Sequence, residues 1–224
     1  VASAEQKAPK KGRSGRLSNA GEEKFIREYL GGSILTKVKA LETLVPGLGA
    51  AGRLLADRMA KGGQWLIFGN GGSAADAQHL ATEMTGRLHK LERRGLPALA
   101  LTTDASALTS IGNDYGFERV FSRQIEALGR KGDVALGITT SGNSPNVLMG
   151  LAQARRQGMA TIAFSGRGGG AVSKKGVADL CLIAPSDFTP HVQECHGSMG
   201  HILCFLVERG LERRGLFQRM KKNG

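Results

Sequence analysis

The sequence is poor in the residues that mark several common functions. Its 224 residues hold three cysteines, Cys181, Cys195 and Cys204, none in CxxC spacing. An odd number of thiols set inside apolar periodic segments predicts buried, reduced cysteines in a cytoplasmic protein, not a disulfide framework. No apolar run approaches the roughly 20 residues of a membrane span, and no charged-then-apolar leader opens the chain, so a soluble protein without a membrane partner is expected. Aromatic residues make up 5% of the chain, and only Tyr29 and Tyr115 represent tyrosine. The net charge of +12 therefore lacks the stacking platforms that single-stranded nucleic acid uses. Residues 1–20 and 210–224 each carry five Lys or Arg against one acid, and Arg87–Arg94 (RLHKLERR) carries four against one. Charge gathered in two tails and one loop reads as solvated surface, and no nucleic-acid partner is expected.

What is present is enough apolar material, 41% of the chain, to build one ordinary domain. Residues 1–20 are polar, basic and rich in small side chains, which predicts a disordered tail or linker. Val1 in place of Met fits a piece of a longer polypeptide or a chain carrying added residues. A single domain is expected over 21–210, with a basic C-terminal tail at 211–224. Gly21–Leu44 has a helical pattern, interrupted at Gly31-Gly32. Ala50–Lys61 has a second, with Pro46 and Gly47 between. Two amphipathic helices ahead of the first strand exceed what one sheet needs, so part of their apolar face is expected to pack on another subunit.

The chain is organised around Trp65–Arg87, WLIFGNGGSAADAQHLATEMTGR. Trp65-Leu66-Ile67-Phe68 has the length and residue types of a buried strand and runs into Gly69-Asn70-Gly71-Gly72-Ser73. Good helix formers follow, with Ser73 expected as the N-cap and Gly86 as the stop. A glycine loop joining a strand to a helix N-terminus presents free N–H groups and a positive dipole end to an anion. It is not GxGxxG, so the dinucleotide fingerprint is unmet. His79 and Glu83 stand four apart on one helix face, where they can hold a divalent metal or pass a proton; the plainer alternative is a solvated helix pair.

Beyond this stretch the alternation is regular. Ala98–Leu101, Asp133–Ile138, Ala160–Phe164 and Asp179–Ala184 read as strands. Asp104–Ile111 reads as a short helix leading into Gly112-Asn113-Asp114, and Glu118–Leu128 and Asn146–Gln157 as further helices. Such alternation requires right-handed crossovers and predicts a doubly wound, five-stranded parallel sheet covered on both faces. The loop TTSGNS sets Thr139, Thr140, Ser141 and Ser144 before a helix whose first position is Pro145. That is more hydroxyl than a cap alone needs, and it suits a phosphate held without lysine. A last helix begins at Thr189-Pro190 and carries Gln193, Glu194, His196 and His201 among apolar residues. Gln193 and His201, eight apart, lie about 80° from each other around the axis.

GNGGSAADAQHLATEMTGR, IGNDYGFERVFSRQIEALGRKGDVALGITTSGNSPNV and HVQECHGSMGH together resemble the phosphoheptose isomerases of the sugar-isomerase (SIS) fold, over about Glu22–Glu208. The resemblance implies an aldose–ketose isomerase acting on sedoheptulose 7-phosphate through an enediol, in a homotetramer with one zinc per subunit. It implies a zinc set of His79, Glu83, Gln193 and His201, with Glu83 and His201 as the acid–base pair. It further implies substrate contacts at Asn70, Gly71, Gly72, Ser73, Asn113, Asp114, Thr139, Thr140, Ser141, Ser144 and Gln193. His191 stands where such proteins often carry arginine and Thr139 where serine is common, which implies an altered edge of the substrate pocket. The alternatives are a non-enzymatic SIS protein that binds the bacterial replication initiator, or a sugar-phosphate sensor. Glu83 and His201 favour the isomerase.

Overall fold

Short, almost wholly apolar segments pair in register as a parallel sheet in the computed structural model, which describes residues 19–88 and 93–217. The strands are β1 (Trp65–Gly69), β2 (Ala98–Ala100), β3 (Val134–Ile138), β4 (Ala160–Ser165) and β5 (Leu180–Ile183). Their order is β2-β1-β3-β4-β5, with every neighbour parallel. β1, β3 and β4 are buried along their whole length, as strands covered on both faces must be.

Helices cover each face. On one, α2 (Val45–Ala60), α3 (Gly72–Thr85) and α7 (Thr189–Arg213) enclose a core that includes Leu55, Trp65, Leu80, Leu136 and Leu203. On the other, α4 (Ala105–Tyr115), α5 (Val120–Leu128) and α6 (Pro145–Arg156) pack on Phe68, Phe121, Ala135 and Val147. α1 (Asn19–Thr43) lies outside the sheet, against α7 and α2. From β1 the chain crosses to β2 on one side, and from β3 it crosses to β4 on the other. The strand order therefore reverses between β1 and β3, and the ends of these two strands open the crevice where doubly wound sheets bind ligands.

Several expected boundaries move, each for a local reason. Gly31-Gly32 does not interrupt α1; Gly32 lies against the His191 ring, so its missing side chain admits a neighbour and leaves the helix whole. α2 begins at Val45 and not Ala50, because Pro46 sits in its first turn, where no N–H is needed. Ser73 is not the N-cap of α3. Gly71 takes that place with φ 55°, a conformation that favours glycine, and Ser73 is buried inside the first turn. Gly112-Asn113-Asp114 is the last turn of α4 and not a loop; Asp104 caps that helix by accepting the Ala107 N–H at 2.9 Å, and Gly116 at φ 88° ends it. α1 starts at Asn19 and α7 ends at Arg213, so the divisions expected at 20/21 and 210/211 both fall within helices. Most of the two basic tails, and residues 89–92 of the basic loop, lie outside the described residues. Among those described, no helix is long and apolar enough to cross a membrane.

Candidate active site

α3 and α7 run side by side in the same direction. Gly72 faces Gln193, and Leu80 packs on Gly200 so closely that a Cβ there would meet it within 2.7 Å of Cδ1. Further along, burial and the nearby Glu83 carboxylate push the Cys204 thiol up to about 12. Midway along this seam His79 Nε2 and His201 Nε2 are 2.7 Å apart, close enough to share one hydrogen or to face one ion. Glu83 Oε1 lies 3.6 Å from His79 Nε2. One donor atom from each of the three residues falls within 4.8 Å of the others. Two imidazole nitrogens and a carboxylate oxygen converging from two helices are the donor types that zinc takes with a position left for substrate, so these residues fit that ion.

Gln193, the fourth expected ligand, lies about two turns nearer the helix N-termini. Its amide rests over Gly72, where a Cβ would come within 2.6 Å of its Oε1, and it lies close enough to the Asp76 carboxyl to favour its ionised form. Asp76 was not among the expected site residues, although its position three before His79 puts it on the same helix face. Burial pushes its carboxyl above the ordinary range, opposed by the Gln193 amide and the nearby His79. Its Oδ2 is buried without a hydrogen-bond partner. Asp76, Gln193, Tyr29, Pro190, Glu194 and Gly197 line a groove of ≈ 330 Å³. Glu194 accepts hydrogen bonds from the Ser33 hydroxyl and, at 2.8 Å, from Tyr29; these hold its carboxyl below the usual range and pin α1 to α7. His191 turns toward α1, its ring centroid 4.9 Å from that of Tyr29 and 4.8 Å from that of Phe188. His191, the residue expected to alter the pocket edge, is a docking contact for α1.

The hydroxyl loop follows β3. Thr139 Oγ1 is 2.9 Å from Ser144 Oγ and 3.5 Å from Ser141 Oγ. Ser144 is the N-cap of α6 but makes no side-chain cap bond, leaving that end of the helix open to an anion. Thr140, Ser141 and Ser144 are half-buried and Thr139 is buried. The parallel turn after β1 carries Asn70, Gly71, Gly72 and Ser73, with Gly71 and Gly72 exposed at the start of α3. Asn70 and Asn146 join the two turns through reciprocal amide bonds, both 2.8 Å. Asn146, read from sequence only as a helix start, is thus a structural member of the crevice. Asn113 and Asp114 are exposed on α4 and bonded to each other at 2.8 Å.

Two helix N-termini and a set of hydroxyls at the switch point suit the phosphate of a small metabolite, and a His–Glu–His cluster is of a kind that can transfer protons. Residues 28–166 match the SIS domain family model. The chain is 56% identical over 172 residues to the phosphoheptose isomerase of Citrifermentans bemidjiense, covering 77% of this chain and 88% of that protein. It is 58% identical over 155 residues to that of Aquifex aeolicus, covering 69% and 80%. Among solved structures, the phosphoheptose isomerase of Neisseria gonorrhoeae superposes with a TM-score of 0.77 at 43% identity, covering 84% of this chain and 99% of that one. The corresponding Francisella tularensis structure gives 0.80 at 35% identity, covering 84% and 98%. With the doubly wound sheet, the hydroxyl loop and the His79–Glu83–His201 cluster all in place, this chain belongs to the phosphoheptose isomerases, which are aldose–ketose isomerases with a SIS domain.

Proposed function

We propose that this chain converts sedoheptulose 7-phosphate to D-glycero-D-mannoheptose 7-phosphate, and that Glu83 and His201 carry the protons. The observation that supports this most is the meeting of His79, Glu83 and His201 on the seam of α3 and α7, whose α3 opens at the crevice between β1 and β3. The phosphate would be held by the hydroxyls of Thr139, Thr140, Ser141 and Ser144 and by the positive end of the α6 dipole. The turn Asn70-Gly71-Gly72-Ser73 would approach the sugar with bare backbone, and Asn113 and Asp114 would bind hydroxyls. Moving the carbonyl from C2 to C1 requires removal of a C1 proton, an enediol, and return of a proton to C2. One carboxylate can do both, and an imidazole can move the accompanying hydroxyl proton between O1 and O2. His79, Glu83 and His201 would hold one zinc, with Gln193 reaching it from the adjoining groove. When bound, the ion would polarise the substrate oxygens.

A homotetramer fits the same reading. α1 leaves Phe25, Leu30, Ile34 and Leu41 between 56% and 70% exposed, an apolar stripe of the kind that marks an interaction surface. Unpaired thiols at Cys181, Cys195 and Cys204 fit a cytoplasmic location.

The deciding assay incubates the protein with sedoheptulose 7-phosphate, with and without chelator, beside Glu83→Gln and His201→Ala. Turnover is expected in the unsubstituted enzyme, with losses of about 10²–10⁴-fold in each variant. Equal inactivity of all three proteins would move a sugar-phosphate-binding role ahead.

A further inference from the structure

Glu83 occupies a precarious place for a residue with a catalytic assignment. It is two residues from the end of α3, in the turn whose carbonyls have no helical amide to accept from. Such a turn frays unless something holds it. Here that role falls to Arg93, from the loop that follows. Its Nη2 donates to the Glu83 carbonyl at 2.9 Å, and its Nη1 to the carbonyls of Met84 at 2.8 Å and Gly86 at 3.2 Å. The Leu96 N–H adds a second bond to the Met84 carbonyl, at 2.9 Å.

The same guanidinium reaches across to α7. Arg93 Nε donates to Glu208 Oε1 at 2.6 Å, and the two side chains are 0% and 6% exposed. Glu208 is seven residues beyond His201, within about 20° of it around the helix axis, so both point toward α3. The seam is therefore fastened at both ends: by Gln193 against Gly72 and Asp76 at the start, and by Arg93–Glu208 at the finish. The His79–Glu83–His201 cluster lies between.

We propose that Arg93 and Glu208 are positioning residues: one buried guanidinium fixes the terminal turn of α3 to α7 and so sets where the Glu83 carboxylate stands relative to His201. This rests on the isomerase reading for the role of Glu83. A planar fork is required, because one head group must satisfy carbonyls on one helix and a carboxylate on the other; an ammonium cannot cover both directions. A buried ion pair is in itself weak evidence for stability, since an apolar pair of similar volume often replaces one without loss. That separates a positioning role from a merely structural one.

The test compares Arg93→Lys and the double variant Arg93→Met/Glu208→Leu with the unsubstituted enzyme. Thermal unfolding checks folding, steady-state kinetics give kcat and KM separately, and calorimetric titration with Zn²⁺ alone reads the cluster without turnover. Expected are folded variants whose kcat falls about 10–100-fold while KM stays within about threefold, with Zn²⁺ affinity reduced about tenfold or more. A folded variant of either kind that keeps kcat and Zn²⁺ affinity within about twofold overturns the proposal. So does failure of both variants to fold, which would assign the pair to the global fold. If the unsubstituted enzyme binds Zn²⁺ but does not turn over the heptose phosphate, the functional reading fails and the Zn²⁺ comparison still judges the positioning role.

Discussion

Asn70 and Asn146 exchange two hydrogen bonds, each 2.8 Å, and so tie the glycine turn after β1 to the first turn of α6. Asn146 Oδ1 also accepts the Val147 N–H at 2.9 Å, and the residue is 3% exposed. Asn146→Ala would leave the Asn70 amide half-buried without its partner. The expected cost is about 1–3 kcal/mol in stability, read by urea unfolding. Because both turns border the crevice, KM for the sugar phosphate should rise severalfold. An unchanged KM would show that the two turns keep their places without this pair.

Gly72 offers a sharper test, because it separates stability from function. Alanine at a helix N-terminus is not disfavoured by backbone conformation, and Gly72 has no positive φ. Its Cβ would nevertheless fall within 2.6 Å of Gln193 Oε1 and force that amide aside. Gly72→Ala is therefore expected to melt within a few degrees of the parent while losing about 10–100-fold in kcat/KM. Equal activity would mean that the seat of Gln193 over α3 has no part in turnover.

Much of this organisation was legible from residue order alone, and the remainder has physical reasons. The strands were readable because Trp65–Phe68 and Val134–Ile138 are uninterrupted apolar runs, as parallel strands covered on both faces require. His79 and Glu83 were readable because four residues make one helical turn. Asp76 shares that face, but only the fold shows its carboxyl partly buried beside Gln193. Arg93 looked like one more cation in RLHKLERR; nothing local shows that a carboxylate 115 positions on would receive it. Gly31-Gly32 looked like a break because local propensity disfavours glycine in a helix, whereas His191 needs the space at Gly32.

The outward face of α1 should decide assembly. Leu30 and Ile34 are 56% and 64% exposed and stand one turn apart. Replacing both by Glu puts two charges into any interface formed there without touching the core of the subunit. Light scattering is expected to give roughly four times the 23.6 kDa chain mass for the parent and a smaller species for the double variant. The far-ultraviolet circular dichroism of the two should agree. A monomeric parent would show that this face drives no assembly.

His196 should make the protein sensitive to mild acid. It is 1% exposed on α7, its Nε2 bonded to the Ser165 carbonyl at 2.9 Å and its Nδ1 buried with no partner. Burial lowers its pKa from 6.5 to about 4, with the Ser165 bond opposing. Below pH 6.5 the unfolded chain takes up a proton at this imidazole that the folded protein refuses until about pH 4. Its contribution to stability is thus complete above pH 6.5 and is lost progressively as the pH falls toward 4. A shift of this size corresponds to about 3 kcal/mol, enough to dominate the acid limb of a marginally stable domain. Urea unfolding at pH 7.5 and pH 4.5 should show that additional loss in the parent. His196→Gln keeps a side-chain amide near the Ser165 carbonyl but cannot titrate, so its stability should fall less over the same interval. Parallel pH profiles for parent and variant would exclude His196 as the acid-sensitive group, whatever the absolute stability of either protein.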